Sequence, residues 1–176
     1  MRIIAGELGG RNFDSPHGNR THPMSDKMRG ALFNALGDIH RLTVLDVFSG
    51  SGAISFEALS RGAVHATAVE IDKEAYRTIR QNSELLGVTD RIDIVMARAS
   101  GWSLRRQHLL FDIIICDPPY DNLQIPALQK LCRHMKASSI FVLSWPGKED
   151  LPLLPALKVI KQNQHGDGQL IFYKKV

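Results

Sequence analysis

At 176 residues, 44 % of them hydrophobic and 23 % charged, the chain has the size of one domain and can bury a core without metals or disulfides. The opening Met1-Arg2-Ile3-Ile4-Ala5-Gly6 lacks a signal peptide's apolar core, no run reaches membrane-spanning length, and Cys116 and Cys132 lack Cys-x-x-Cys spacing. A soluble, cytoplasmic, monomeric protein with buried thiols and no membrane partner is therefore expected, while a net charge of +4 and a pI near 9.2 suit a polyanionic partner without establishing one.

Residues 1–24 differ in character from the rest of the chain: Arg2 to Ala5 and Arg11 to Asp14 are short strand candidates, set among Gly and Pro, and the segment carries Arg2, Arg11 and Arg20. It reads as an N-terminal extension to a domain over residues 25–176. Ser25 can cap a helix with Met28, Ala31, Leu32, Ala35 and Leu36 at helical spacing, stopped by Gly37. Its polar residues, Asp26, Lys27, Arg29 and Asn34, read first as a solvated face. Leu42 to Phe48 predicts a strand, Ser49-Gly50-Ser51-Gly52 a turn, and Ala53 to Arg61 a helix stopped by Gly62.

Val64 to Ile71 predicts the second strand, and Asp72 caps a helix from Lys73 to Leu86 that Gly87 ends. Arg91 to Met96 and Leu110 to Cys116 are the third and fourth strands. Pro126 suits the first turn of a helix through Lys136, with Leu128, Leu131, Cys132 and Met135 facing the core, and Ile140 to Ser144 is the fifth strand. Leu157 to Gln162 and Gln169 to Lys174 alternate as a hairpin through His165-Gly166-Asp167-Gly168. Strand alternating with helix predicts an α/β fold, Rossmann-like, with a mostly parallel seven-stranded sheet and a C-terminal antiparallel hairpin.

A glycine turn after the first strand brings a ligand against backbone N–H groups at a helix N-terminus. The third glycine of the dinucleotide fingerprint is replaced by Ser55, which disfavours NAD, no Gly-Lys-Ser/Thr follows for a P-loop, and no His or Cys cluster suggests a metal. S-adenosylmethionine fits what remains. Asp46 at the first strand's end can hold its ammonium directly or through water, Gly50 and Gly52 give the chain room beneath it, and Glu70 can accept the ribose hydroxyls.

Asp117-Pro118-Pro119-Tyr120 ends the fourth strand. The prolines fix φ and offer no N–H, so Asp117 and the Pro118 carbonyl are two acceptors for a planar amine that stacks on Tyr120. Asp117 can also take the released proton, or the proton can pass to solvent after transfer.

Asp46 to Gly52 together with Asp117 to Tyr120 resembles a class I S-adenosylmethionine-dependent methyltransferase acting on an exocyclic or amide nitrogen. The likeness runs nearly end to end to the RsmD-type methyltransferases of bacteria, through Met1 to Gly6, Gly10-Arg11, Asp26-Lys27-Met28-Arg29, Leu32-Phe33-Asn34, Gly50 to Ala53 and Glu57 to Gly62. It implies methylation of a guanine N2 in 16S (small-subunit) ribosomal RNA, free or within the small subunit or an assembly intermediate. Catalysis then falls to Asp117, Pro118 and Tyr120, and cofactor binding to Asp46, Phe48, Gly50, Gly52, Glu70 and Ile71. RNA contact falls to Arg2, Arg11, Arg20, Lys27 and Arg29, and the extension becomes an RNA-binding element.

Departures from the family pattern are His22-Pro23-Met24 for Arg-Pro-Thr, Arg29-Gly30 for Arg-Glu, and Ala97-Arg98-Ala99 where an Asp or Asn often meets the adenine amine. The adenine contact stays open, with backbone atoms or Ser100 as candidates. A DNA adenine methyltransferase usually carries a recognition module for which about twenty residues between the fourth and fifth strands leave no room. A protein-glutamine methyltransferase usually has Asn in place of Asp117. Small-molecule N-methylation and a noncatalytic RNA-binding factor on the same scaffold are the other readings.

Overall fold

The computed structural model describes residues 1–16 and 24–176. Ser25 accepts from the Met28 N–H and opens α1 (Asp26–Leu36), and Asp72 accepts from Glu74 and Ala75 to open α3 (Lys73–Leu86), which ends on left-handed Gly87. Between them lie β1 (Thr43–Val47), α2 (Ala53–Ser60) and β2 (His65–Glu70). Then come β3 (Ile92–Met96), α4 (Ala99–Arg105), β4 (Phe111–Cys116), α5 (Ile125–Leu131), β5 (Met135–Pro146), β6 (Leu157–His165) and β7 (Gly168–Lys175).

The strands form one seven-stranded sheet in the order β3-β2-β1-β4-β5-β7-β6, parallel except where β7 pairs antiparallel with β5 and β6. This is a class I methyltransferase-type fold, as the motifs implied. No helix among the described residues is long and apolar enough to cross a membrane.

Two expected boundaries moved. The helix expected through Lys136 stops at Leu131 and tightens into a 3₁₀ turn over Cys132–His134, and β5 begins at Met135 rather than Ile140. The His134 ring, bonded to the Leu109 carbonyl and the Ser103 hydroxyl, pins that turn, and Met135 pairs with Phe111 ahead of an irregularity in the β4–β5 ladder. Helix α4 was not expected at all.

Strand alternation sorts the core into layers. Leu45, Val47, Ile114 and Cys116 pack with Trp102, Leu128 and Leu131 beneath α4 and α5, whereas Val44, Ile113 and Ile115 pack with Leu32, Phe33 and Ile54. Asp46 and Asp117 continue the second alternation, which puts them on the side of α1 and α2.

The N-terminal strand candidates meet through one bridge, Arg2 to Asn12, supported by Ile3 N–H to Arg11 O at 3.0 Å and Phe13 N–H to Met1 O at 3.0 Å. Ile3 and Phe13 bury among Phe56, Leu59 and Ile79.

Candidate active site

The strand order reverses between β1 and β4, and at the carboxyl ends of these strands, where ligands of open α/β sheets bind, lies a cavity of about 690 Å³. On its β1–β3 side Phe48 adopts φ 67°, a left-handed conformation costly for a non-glycine residue. The N–H groups of Phe48 and Ser49 both donate to the Val69 carbonyl, at 3.1 and 3.2 Å, so the turn bends over the end of β2. Gly50 follows with φ 53° and donates its N–H to Glu70 Oε2 at 2.7 Å. Glu70 Oε1 accepts from the Ile71 and Asp72 N–H groups, each at 2.8 Å. Glu70 thus ties two loops together at the cavity wall, with about one of a carboxylate's four lone-pair positions still open.

Gly52 does something other than make room for a ligand. It does not line the cavity; a Cβ there would meet Phe56 Cε2 at 2.8 Å and Ile79 side-chain atoms at 3.2 Å, and its φ is 78°. The residue lets α2 start in a left-handed turn while α3 packs against it.

Asp46 is wholly buried. Its Oδ2 accepts from Ser55 N–H at 3.1 Å and Ser55 Oγ at 2.6 Å, while Oδ1 has no partner among the described residues. Burial is the main cause that lifts its pKa to about 7; the Ser55 bonds pull it down, and the charges of Asp117 and Glu70 add to the rise. Asp46 is not among the residues that line the cavity; its Oδ1 is an unsatisfied acceptor buried behind the wall, three residues before the glycine turn, where a cationic ligand group would be balanced.

On the β4–β5 side, Asp117 opens into the cavity and Pro118 is buried beside it. Burial raises the Asp117 pKa to about 6 against the lowering effect of the Ser144 hydroxyl. Tyr120 Oη lies 3.1 Å from Ser144 Oγ, and burial also raises the phenol's pKa. A side chain on Gly168, at the start of β7, would collide with Tyr120 Oη. Tyr120 is 43 % exposed, so it presents an aromatic surface at the mouth of the cavity.

The cationic residues expected on an RNA surface divide. Arg29 is fully buried: its guanidinium donates to Arg2 O at 2.7 Å and Asp26 Oδ1 at 2.8 Å and lies 3.7 Å from Glu57 Oε2. The expectation that it contacts phosphate is corrected, because its charge is spent inside the molecule. Arg11 donates to the carbonyls of Leu85 and Leu86, at 2.8 and 3.1 Å, and so caps the C-terminus of α3. Arg2 and Lys27 are exposed. Arg20 and His22 lie outside the described residues.

Sequence reasoning missed Met24, Ser25 and Met28, which α1 brings to the wall, as well as Arg98, Gln124 and Ser144. Helical spacing had placed Met28 in the core, which it also joins. Only the topology shows that one end of that core is the cavity.

The family model described as Conserved hypothetical protein 95 matches residues 1–174. Ribosomal RNA small subunit methyltransferase D of Haemophilus influenzae is 32 % identical over 158 residues, 88 % of this chain and 82 % of that protein. The chain belongs to the RsmD-type family. Among solved structures, the yhhF protein of Escherichia coli superposes with a TM-score of 0.88 at 27 % identity over 99 % of this chain and 97 % of that one. SMU.776, solved complexed with SAH, has a TM-score of 0.66 at 19 % identity over 85 % of this chain and 48 % of that one, a likeness that speaks for the fold. The RsmD-type match includes both the N-terminal segment and the sheet, so the packing of Ile3 and Phe13 onto α2 and α3 lies within the family's span.

Proposed function

We propose that this chain methylates the exocyclic N2 amine of a guanine in small-subunit (16S) ribosomal RNA, with S-adenosylmethionine as donor. The observation that carries the reading is Asp117, a carboxyl raised to about 6 at the switch-point cavity, between the buried Pro118 and the Tyr120–Ser144 pair. RNA as the substrate class is supported by the name of the Haemophilus influenzae relative.

The residues present fit the donor. Asp46 Oδ1 is a buried, unpartnered acceptor suited to an ammonium, Glu70 retains acceptor capacity for a ribose hydroxyl, and Val69, Ile71 and Ala97 offer apolar wall to a flat base. When bound, S-adenosylmethionine supplies an electrophilic methyl group on a sulfonium sulfur.

The N2 lone pair of guanine is delocalised into the ring, which makes the amine a weak nucleophile. Ionised Asp117 is an acceptor only, and with the Pro118 carbonyl it can take hydrogen bonds from both N2 hydrogens. Those bonds strengthen as positive charge develops on nitrogen, so they favour the transition state over bound substrate. Asp117 can also receive the proton that the nitrogen loses, which otherwise passes to solvent after transfer. Tyr120, held by Ser144, gives the unpaired guanine a surface to stack on. Among the described residues of the expected set, Arg29 is buried and the exposed Arg11 is tied to the end of α3, which leaves Arg2 and Lys27 as the proposed phosphate contacts.

The test is incubation with labelled S-adenosylmethionine and, in parallel, free small-subunit rRNA, assembled subunits, DNA and peptide, followed by digestion to nucleosides. Label in N2-methylguanosine is the expected result, and the better RNA form identifies the physiological partner. Label in another nucleoside overturns the guanine assignment; no label with any acceptor overturns the enzymatic reading.

A further inference from the structure

Beyond Asp117 and Tyr120 the chain turns back through Asp121 and Asn122 before α5 begins. At the return stands Gln124, with φ 48° and ψ 40°. Glutamine is a poor occupant of the left-handed region, where glycine or asparagine sits at lower cost, and residues held there cluster at functional sites. The backbone is fixed in that state because the Gln124 carbonyl accepts from Ala127 N–H at 2.8 Å and Leu128 N–H at 3.2 Å. The side chain is exposed, lines the same cavity as Asp117, Tyr120 and Ser144, and makes no hydrogen bond to any described residue. A strained position therefore carries an amide at the wall of the cavity, with its donors and acceptor free of any bond to a described residue.

Guanine presents, beside its N2 amine, an N1–H donor and an O6 acceptor. A carboxamide offers one acceptor and one donor side by side, the complement of that pair. Gln124 is the one carboxamide among the described residues of the cavity. A carboxylate such as Asp121 offers no donor to O6, Arg98 offers donors but no acceptor for N1–H, and the Ser49 hydroxyl is already given to Asp46 O.

We infer that Gln124 is a specificity-determining residue that reads the N1–H and O6 edge of the target guanine, and so orients N2 toward Asp117. The inference rests on the guanine-N2 reading above and adds the group that recognises the rest of the base.

The test compares guanine with 2-aminopurine, which keeps the 2-amine but lacks both O6 and N1–H, placed at the methylated position of small-subunit rRNA by splinted ligation. The wild type should lose about 10- to 100-fold in kcat/KM on 2-aminopurine, the worth of one or two neutral hydrogen bonds. Gln124→Ala should lose a similar factor on guanine and nothing further on 2-aminopurine. Gln124→Gly, which relieves the positive φ, should show the same loss while unfolding no more easily than the wild type, and both variants should bind S-adenosylhomocysteine with unchanged Kd. Equal losses on the two bases, or no loss on guanine, would overturn the inference while leaving the guanine-N2 activity intact. A wild type that deposits no N2-methylguanosine would overturn the activity itself and this inference with it.

Discussion

Asp46 and Asp117 are carboxyls on one face of the sheet whose pKa values burial lifts to about 7 and about 6. In the unfolded chain both titrate near 3.8, so between that value and the folded pKa the native state binds more protons than the unfolded state. Stability therefore falls as pH rises through this window and levels off above it. Asp117 contributes over the lower part and Asp46 over the whole. Asn at position 46 keeps an acceptor for Ser55 and removes the titration, so Asp46→Asn should flatten the decline between pH 6 and 8. The gain at pH 8 is on the order of a few kcal/mol, read from urea midpoints at the two pH values. A wild-type curve that rises over this interval would rule out the buried-carboxyl account. The same variant should bind S-adenosylhomocysteine more weakly, because a neutral amide is a poor partner for an ammonium. At Asp117 the ionised form is the working one, so methylation under single-turnover conditions should rise tenfold per pH unit below about 6 and then level off. Asp117→Ala should reduce turnover at least 100-fold with S-adenosylhomocysteine affinity largely kept; normal turnover in this variant would remove Asp117 from the chemistry.

Elements position these groups, and the hairpin of β6 and β7 does so at long range. Gly168 begins β7, pairs with Pro146 at the end of β5 and leaves space for Tyr120 Oη. Gly168→Ala should push the Tyr120 ring away from Ser144. Because the colliding atom is the far end of a side chain that can move, unfolding should change by less than about 1 kcal/mol, while kcat/KM for RNA falls and S-adenosylhomocysteine affinity holds. A variant with full activity would show that the ring's placement is not critical. Much of this frame was legible in sequence because its determinants are local: Asp72 and Gly87 bound α3 as expected, and the predicted first, second and fourth strands end at the cavity, where Glu70 and Asp117 line the wall. Helix α4 was not legible, since Ser100, Gly101 and Ser103 are poor helix signals and what holds it is tertiary: the packing of Ala99 and Trp102 and the bonds of Ser103 to His134 and the Lys130 carbonyl. The full length of β5 depends on ladder partners in β4 and β7 that lie far away in the chain. Arg29 looked solvated for the same reason: Glu57, its buried neighbour, stands 28 residues on and in another helix. Gln124 carried no local signal, because its importance comes from a backbone angle that its sequence neighbours do not announce.

At the scale of the whole molecule, the N-terminal segment, α1 and α2 are knitted by one buried acid. Glu57 accepts from Ile4 N–H at 2.7 Å, Ala5 N–H at 3.1 Å and Arg61 Nε at 2.7 Å, and faces Arg29, which in turn donates to the Arg2 carbonyl. Ser60 extends the joint by accepting from Leu8 N–H and donating to Ala5 O. This is the route by which residues far from the cavity shape it, since the helix that Arg29 anchors is the one that brings Met24, Ser25 and Met28 to the wall. Glu57→Gln preserves size and one carbonyl acceptor but leaves the Arg29 guanidinium buried beside a neutral group. Removing one member of a buried pair costs more than the pair contributes, so a loss of about 3 kcal/mol is expected, moderated by the Arg29 contact with half-exposed Asp26. Two measurements separate the joint from a general weakening: urea midpoints for the magnitude, and amide exchange for the place. Exchange should quicken at Ile4 and Ala5 by more than the global change accounts for, while β1 and β4 amides follow the global change alone. A midpoint shift below about 1 kcal/mol, or uniform acceleration across the sheet, would mean that the segment is held by Ile3 and Phe13 in their apolar pocket and that the ion network adds little.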